Sequence, residues 1–138
     1  MIRLVAMPVA ALLAVAAGAT GCGSSSSSSA CENVPVGLNN QVASSLSTGF
    51  TVDGFQAVKS HDDKGVWFVS ARAADPSGGV LYPIWATKDL SDTGTVYAVD
   101  GKSRQVAPEM ARLPGVSAAD DGAAESRDCA RKANSKGS

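Results

Sequence analysis

Six consecutive serines at residues 24–29 divide this chain and fix where a fold can begin. A run with no apolar side chain has nothing to bury, so it reads as a solvated linker. Upstream of it stands one short apolar segment. Downstream lies most of a 138-residue chain, enough for one domain. From residue 115 onward Ala, Asp, Gly, Ser and Lys dominate, and residues 115–138 are expected to form a largely disordered tail. The fold is thereby confined to residues 31–114, roughly 85 residues, a size at which buried surface leaves a thin margin of stability. Net charge is −1, from 12 Lys and Arg against 13 Asp and Glu, and the two signs are interspersed. With no basic stripe, nucleic acid is not an expected partner.

Residues 1–21 have the three zones of an export signal. Arg3 lies in a short charged start, residues 4–17 are apolar apart from Pro8, and Ala17-Gly18-Ala19-Thr20-Gly21 is a run of small residues. The apolar part is short of the ~20 residues a transmembrane helix needs. Two cleavage patterns compete. Ala17-Gly18-Ala19 fits an ordinary cut after Ala19. Ala19-Thr20-Gly21-Cys22 resembles the bacterial lipobox, with Ala19 where Leu is usual. The resemblance implies that Cys22 becomes the mature N-terminus and carries acyl chains, palmitate among them, on its sulfur and amine. It places the protein on the extracytoplasmic face of the cell membrane, with residues 22–30 as lipidated cysteine and tether. Eight residues, 23–30, span roughly 16 Å as a flexible coil and about 28 Å when stretched.

Cysteine arithmetic bears on the same choice. Three cysteines are an odd number for an exported chain. Acylation of Cys22 leaves Cys31 and Cys129 as an even pair, and an oxidising compartment permits a disulfide between them. In the chain-entropy treatment, closing so long a loop contributes up to roughly 4.7 kcal/mol. Two free thiols are the alternative.

Within the expected domain, Leu38, Val42 and Leu46 recur at four-residue steps, which predicts an amphipathic helix over residues 36–47. Strands are expected over 50–60, interrupted by Asp53-Gly54, and over 66–74, which is rich in β-branched and aromatic residues. Asp75-Pro76-Ser77-Gly78-Gly79 is a turn, since Pro presets one dihedral and Gly supplies positive φ. Further strands are expected over 80–88, where Pro83 removes a ladder donor, and over 95–99. Residues 107–113 are expected to add a helical turn beginning at Pro108. The fold class is therefore α+β: an N-terminal helix packed on an antiparallel sheet of about four strands.

The search for chemistry finds little. His61, in Ser60-His61-Asp62-Asp63, is the single histidine. It supplies too few ligands for zinc and reads as part of a hairpin loop. Asp89, Ser91, Thr93 and Asp100 have the spacing of a calcium loop, but strands flank them where an EF-hand needs helices. No nucleophile-elbow pattern and no phosphate loop are present. An enzyme is not expected, nor is a cofactor or a metal. Trp67 and Trp85 both fall on strands. Exposed together they would form a binding patch; the alternative is that they fill the core.

The segments Gly65-Val66-Trp67-Phe68-Val69-Ser70-Ala71-Arg72, Ile84-Trp85-Ala86-Thr87 and Thr95-Val96-Tyr97-Ala98-Val99-Asp100 resemble small lipoproteins of actinobacteria and their phages. The resemblance implies an α+β domain at the cell surface and transfers no functional residue. Two functions are compatible with it. One is an envelope lipoprotein whose non-catalytic domain binds an envelope protein or ligand. The other is a phage- or prophage-encoded lipoprotein that acts in superinfection exclusion at the membrane.

Overall fold

The structure, a computed structural model, describes residues 30–63 and 65–135. It is an α+β fold of six strands and three helices: β1 (Glu32–Asn33), α1 (Val36–Ser44), β2 (Thr51–Lys59), β3 (Trp67–Ala74), β4 (Val80–Leu81), β5 (Ile84–Thr87), β6 (Val96–Ala98), α2 (Gly101–Val106) and α3 (Ala123–Ser135). The strands form one antiparallel sheet in the order β1-β2-β3-β5-β6, with β4 beside the far part of β3. The sheet exceeds the expected four strands because β1 is added and one expected strand is split. The split is at Tyr82-Pro83. Leu81 pairs with Ala73 and Ile84 with Ser70, so the register carries through without a shift. Pro83 offers no N–H to the ladder, and its carbonyl accepts a 2.7 Å hydrogen bond from the buried Ser70 hydroxyl instead.

Asp53-Gly54 makes a bulge in β2 rather than a break. Asp53 pairs with Arg72 and Gln56 with Ser70, so Gly54 and Phe55 together face Ala71. Gly54 adopts φ 64°, a conformation that glycine takes at little cost.

Alternation along β3 sorts the core into two layers. Val69, Ala71 and Ala73 face one side, with Trp85, Val96, and Leu38 and Val42 of α1. Phe68 faces the other, with Ile84, Ala86, Leu113 and Ala123 of α3. Helices thus lie on both faces. The helix that runs along β2 and β3 is the C-terminal α3, not an N-terminal one.

The expected disordered tail is therefore corrected. Residues 115–138 contain α3, whose buried residues are Ala123, Ser126, Cys129 and Ala130. Their spacing keeps one face against the sheet, and their small size lets the helix approach closely. Asp100 binds α3 to the rest: it accepts from Arg127 at 3.3 Å and from the backbone N–H groups of Ser103 at 2.8 Å and Ile84 at 3.2 Å.

Two helix boundaries also differ from expectation. The helix ends at Ser44 because Ser45 donates its hydroxyl to Gln41 O at 2.8 Å while its N–H turns to Val42 O. The helical turn expected over 107–113 is replaced by α2, one turn earlier. Asp100 caps it by accepting from Ser103 N–H. Pro108 stops it rather than starting it, because the residue before a proline is driven out of the helical region, and Ala107 sits at φ −136°, ψ 74°. The chain then passes along the outer edge of β6, where Ala98 donates to Ala111 O at 2.8 Å.

Candidate functional site

The register places several distant segments at one end of the sheet. Lys59, Trp67 and Thr87 are neighbours across β2, β3 and β5. β1 runs toward the same end in reverse, because Glu32 pairs with Ala57 and Cys31 lies one residue further along. The chain therefore enters the described fold here, at Ala30. We call this end proximal and the end with the β3–β4 turn distal.

Cys31 and Cys129 form a disulfide, with Cα atoms 5.7 Å apart. It pins the entry point to the middle of α3. Cys129 is buried and Cys31 is exposed. Cys22, expected to be lipidated, lies outside the described residues, as do the export signal and the serine run.

Trp67 and Trp85 share the α1 face of the sheet but not the same environment. Trp85 is 0% exposed and packs against Phe55, with ring centroids 6.3 Å apart. It fills the core. Its indole N–H has no acceptor among the described residues, a cost that the packing of a large ring must outweigh. Trp67 is half-buried, and Lys59 Nζ lies 5.8 Å from its ring centroid. Only Trp67 reaches the surface, so the two rings do not make a shared exposed patch.

The α1 side of the proximal end is completed by the loop between β5 and β6. Asp92 accepts a 2.7 Å hydrogen bond from Gly37 N–H, next to Val36. Gly37 has to be glycine: a Cβ there would lie 2.2 Å from Asp92 O. The Gln41 side chain donates to Gly94 O and accepts from Val96 N–H at 3.0 Å, as a neighbouring strand would. These bonds hold the start of α1 over the proximal end. They leave Val36 67% exposed, the most exposed large apolar side chain among the described residues.

The α3 side of the same end is acidic. His61 lies in the loop between β2 and β3, as expected of a hairpin. Its backbone N–H donates to Asp121 at 2.8 Å. Gly122 packs against Phe68 and Ser60, so the loop before α3 lies on the loop after β2. Asp63 and Asp120 meet here. That contact first, then burial, then the charges of Asp120 and Asp62, raise the pKa of Asp63.

Among the described residues no group of three or more His, Cys, Asp or Glu could hold a metal ion. The residues of the calcium-loop spacing separate: Ser91 and Thr93 bond each other, and Asp100 caps α2. Among the described residues no helix is long and apolar enough to cross a membrane. Sequence reasoning missed Val36, Gln41 and Asp92. A valine in an amphipathic pattern is ordinarily assigned to the core, and the partners of Gln41 and Asp92 lie more than 50 positions away along the chain. No protein family, curated protein or solved structure matches this chain.

Proposed function

We propose that this protein is a cell-envelope lipoprotein, anchored through acylated Cys22 on the extracytoplasmic face, whose small domain acts by binding rather than by catalysis. The observation that carries the reading is the disulfide at the entry point of the fold. A disulfide accords with an oxidising, exported setting. Pairing of Cys31 with Cys129 leaves Cys22 as the odd thiol that acylation would occupy. The lipobox resemblance of Ala19-Thr20-Gly21-Cys22, the serine run and the likeness to small lipoproteins of actinobacteria and their phages agree with this reading.

The entry point also gives the domain a direction. A short tether would hold the proximal end near the bilayer and turn the distal end outward. There the Asp75–Gly79 turn and the half-exposed Val80 would meet a partner in the envelope. Intact-mass analysis of the chain purified from membranes tests the anchor. The expected mass begins at Cys22, carries acyl chains and is lower by two hydrogen atoms for one disulfide. A mature chain beginning at Thr20 without acyl mass overturns the reading. So does unchanged membrane retention of a Cys22→Ala variant.

A further inference from the structure

We propose that the proximal corner formed by Val36, Trp67 and Leu90 docks on the bilayer itself, at the boundary between headgroups and acyl chains. This rests on the lipoprotein reading and goes beyond it: the lipid would be a surface the domain recognises and not only the site of its anchor.

Three observations point to this corner. The first is where the described chain begins. Ala30 enters at the end of the sheet that carries Lys59 and Trp67. With Cys22 in the membrane, the eight residues 23–30 let that end rise no more than about 28 Å.

The second is the character of the side chains. Val36 is 67% exposed at the start of α1, and it stays so because Gly37 is bound to the loop that carries Leu90 and Asp92. Trp67 is half-buried in the fold, as is Leu90, and Lys59 lies over the Trp67 ring. An indole with an ammonium beside it is the pairing that settles at a membrane interface, its ring among the upper methylenes and its charge among the headgroups.

The third is that the end is divided. Asp62, Asp63, Asp120 and Asp121 all belong to the loops gathered on the α3 side. Carboxylates are costly to bring among acyl chains, so that half stays in water and leaves the α1-side corner to face the lipid. At the corner Lys59 and Lys88 are offset by Asp89 and Asp92, so the contact is apolar in the main and responds little to salt or to the anionic lipid fraction.

The two tryptophans make this measurable. The full acylated chain is reconstituted into phosphatidylcholine vesicles containing a lipid with a nitroxide quencher at headgroup depth. Flotation first reports whether the chain is bound. In the bound chain the quencher should remove Trp67 emission and spare Trp85, which is 0% exposed. A Trp67→Phe variant should then show no quenching. Val36→Asp, an exposed change at a helix start where acid is tolerated, should lower the quenching by about twofold or more with the fold intact. A chain that floats but whose Trp67 is not quenched overturns the docking and leaves the anchor standing. A chain that does not float overturns the anchor reading, and the docking with it.

Discussion

The two ends of the sheet are held by different means. The distal turn closes on itself: Asp75 Oδ1 accepts from Ser77 N–H, the Ser77 hydroxyl and Gly79 N–H, and Gly79 is only four positions away. The proximal end is tied by residues far apart in the chain. The disulfide joins positions separated by 98, His61 bonds Asp121 across 60, and Gly37 bonds Asp92 across 55. A local turn loses little entropy on closing, whereas each long tie must first bring distant segments together. The distal turn therefore closes with little help from distant segments. The proximal end exists only when the whole domain has closed.

The largest test of that contrast cuts the disulfide. Replacing both Cys31 and Cys129 by Ser should cost about 2–4 kcal/mol, read from denaturant unfolding. Amide exchange should then speed up first in α3 and β1, while the Asp75–Gly79 turn keeps its wild-type protection until global unfolding. Equal acceleration at both ends would break the comparison.

A pair of glycines offers the next test. At Gly37 a methyl group would meet the backbone of Asp92, which lies on another segment and cannot step aside cheaply. Gly37→Ala should cost about 1–3 kcal/mol, the range for overpacking, and should loosen the loop between β5 and β6. Gly78, in the distal turn, has φ 90° and nothing within 4 Å of its absent Cβ. Gly78→Ala pays only for the left-handed conformation, about 1 kcal/mol, and its effect should stay within the turn. Comparing chemical shift changes in the two variants separates a contact effect that spreads from a backbone effect that does not.

The same contrast explains what could be read from the residues alone. Asp75-Pro76-Ser77-Gly78-Gly79 announces its own turn, and the β-branched and aromatic run before it announces β3, because in both cases the cause is local. The bulge at Gly54 and the break at Pro83 were visible as irregularities, although their outcome depended on the partner strand. α3 was not visible. Its buried face is Ala123, Ser126, Cys129 and Ala130, side chains too small to stand out as apolar, and only the sheet beneath makes that face a core. Pro108 misled in a different way: the same residue can open a helix or close one. What decided the matter was the Asp100 cap upstream. The proximal corner was the least legible of all. Whether Val36 faces water and Trp85 does not depends on how segments far apart in sequence cross.

The smallest effects, and the most diagnostic in sign, come from two aspartates. Hydrogen bonds from Ser77 and then from Gly79 N–H hold the carboxyl of Asp75 below its usual pKa. A carboxyl with a lowered folded-state pKa contributes stability above its unfolded pKa, and that contribution is lost as pH falls through the folded value. At the proximal end the sign reverses. The pKa of Asp63 is raised by its contact with Asp120, so the folded protein takes up a proton more readily than the unfolded one. Its carboxylate is a cost at neutral pH, relieved as pH falls. Asp75→Asn keeps the acceptor oxygen and removes the charge; it should lower the melting temperature slightly at about pH 7, with the gap closing as pH falls below the ordinary carboxylate range. Asp120→Asn gives Asp63 an amide donor in place of a like charge; it should raise the melting temperature slightly at about pH 7 and converge with the wild type as pH falls, at a higher pH than the Asp75 variant does. Thermal melts of both variants across this range decide the point, because two shifts of the same sign at neutral pH would mean that the two ends do not differ electrostatically.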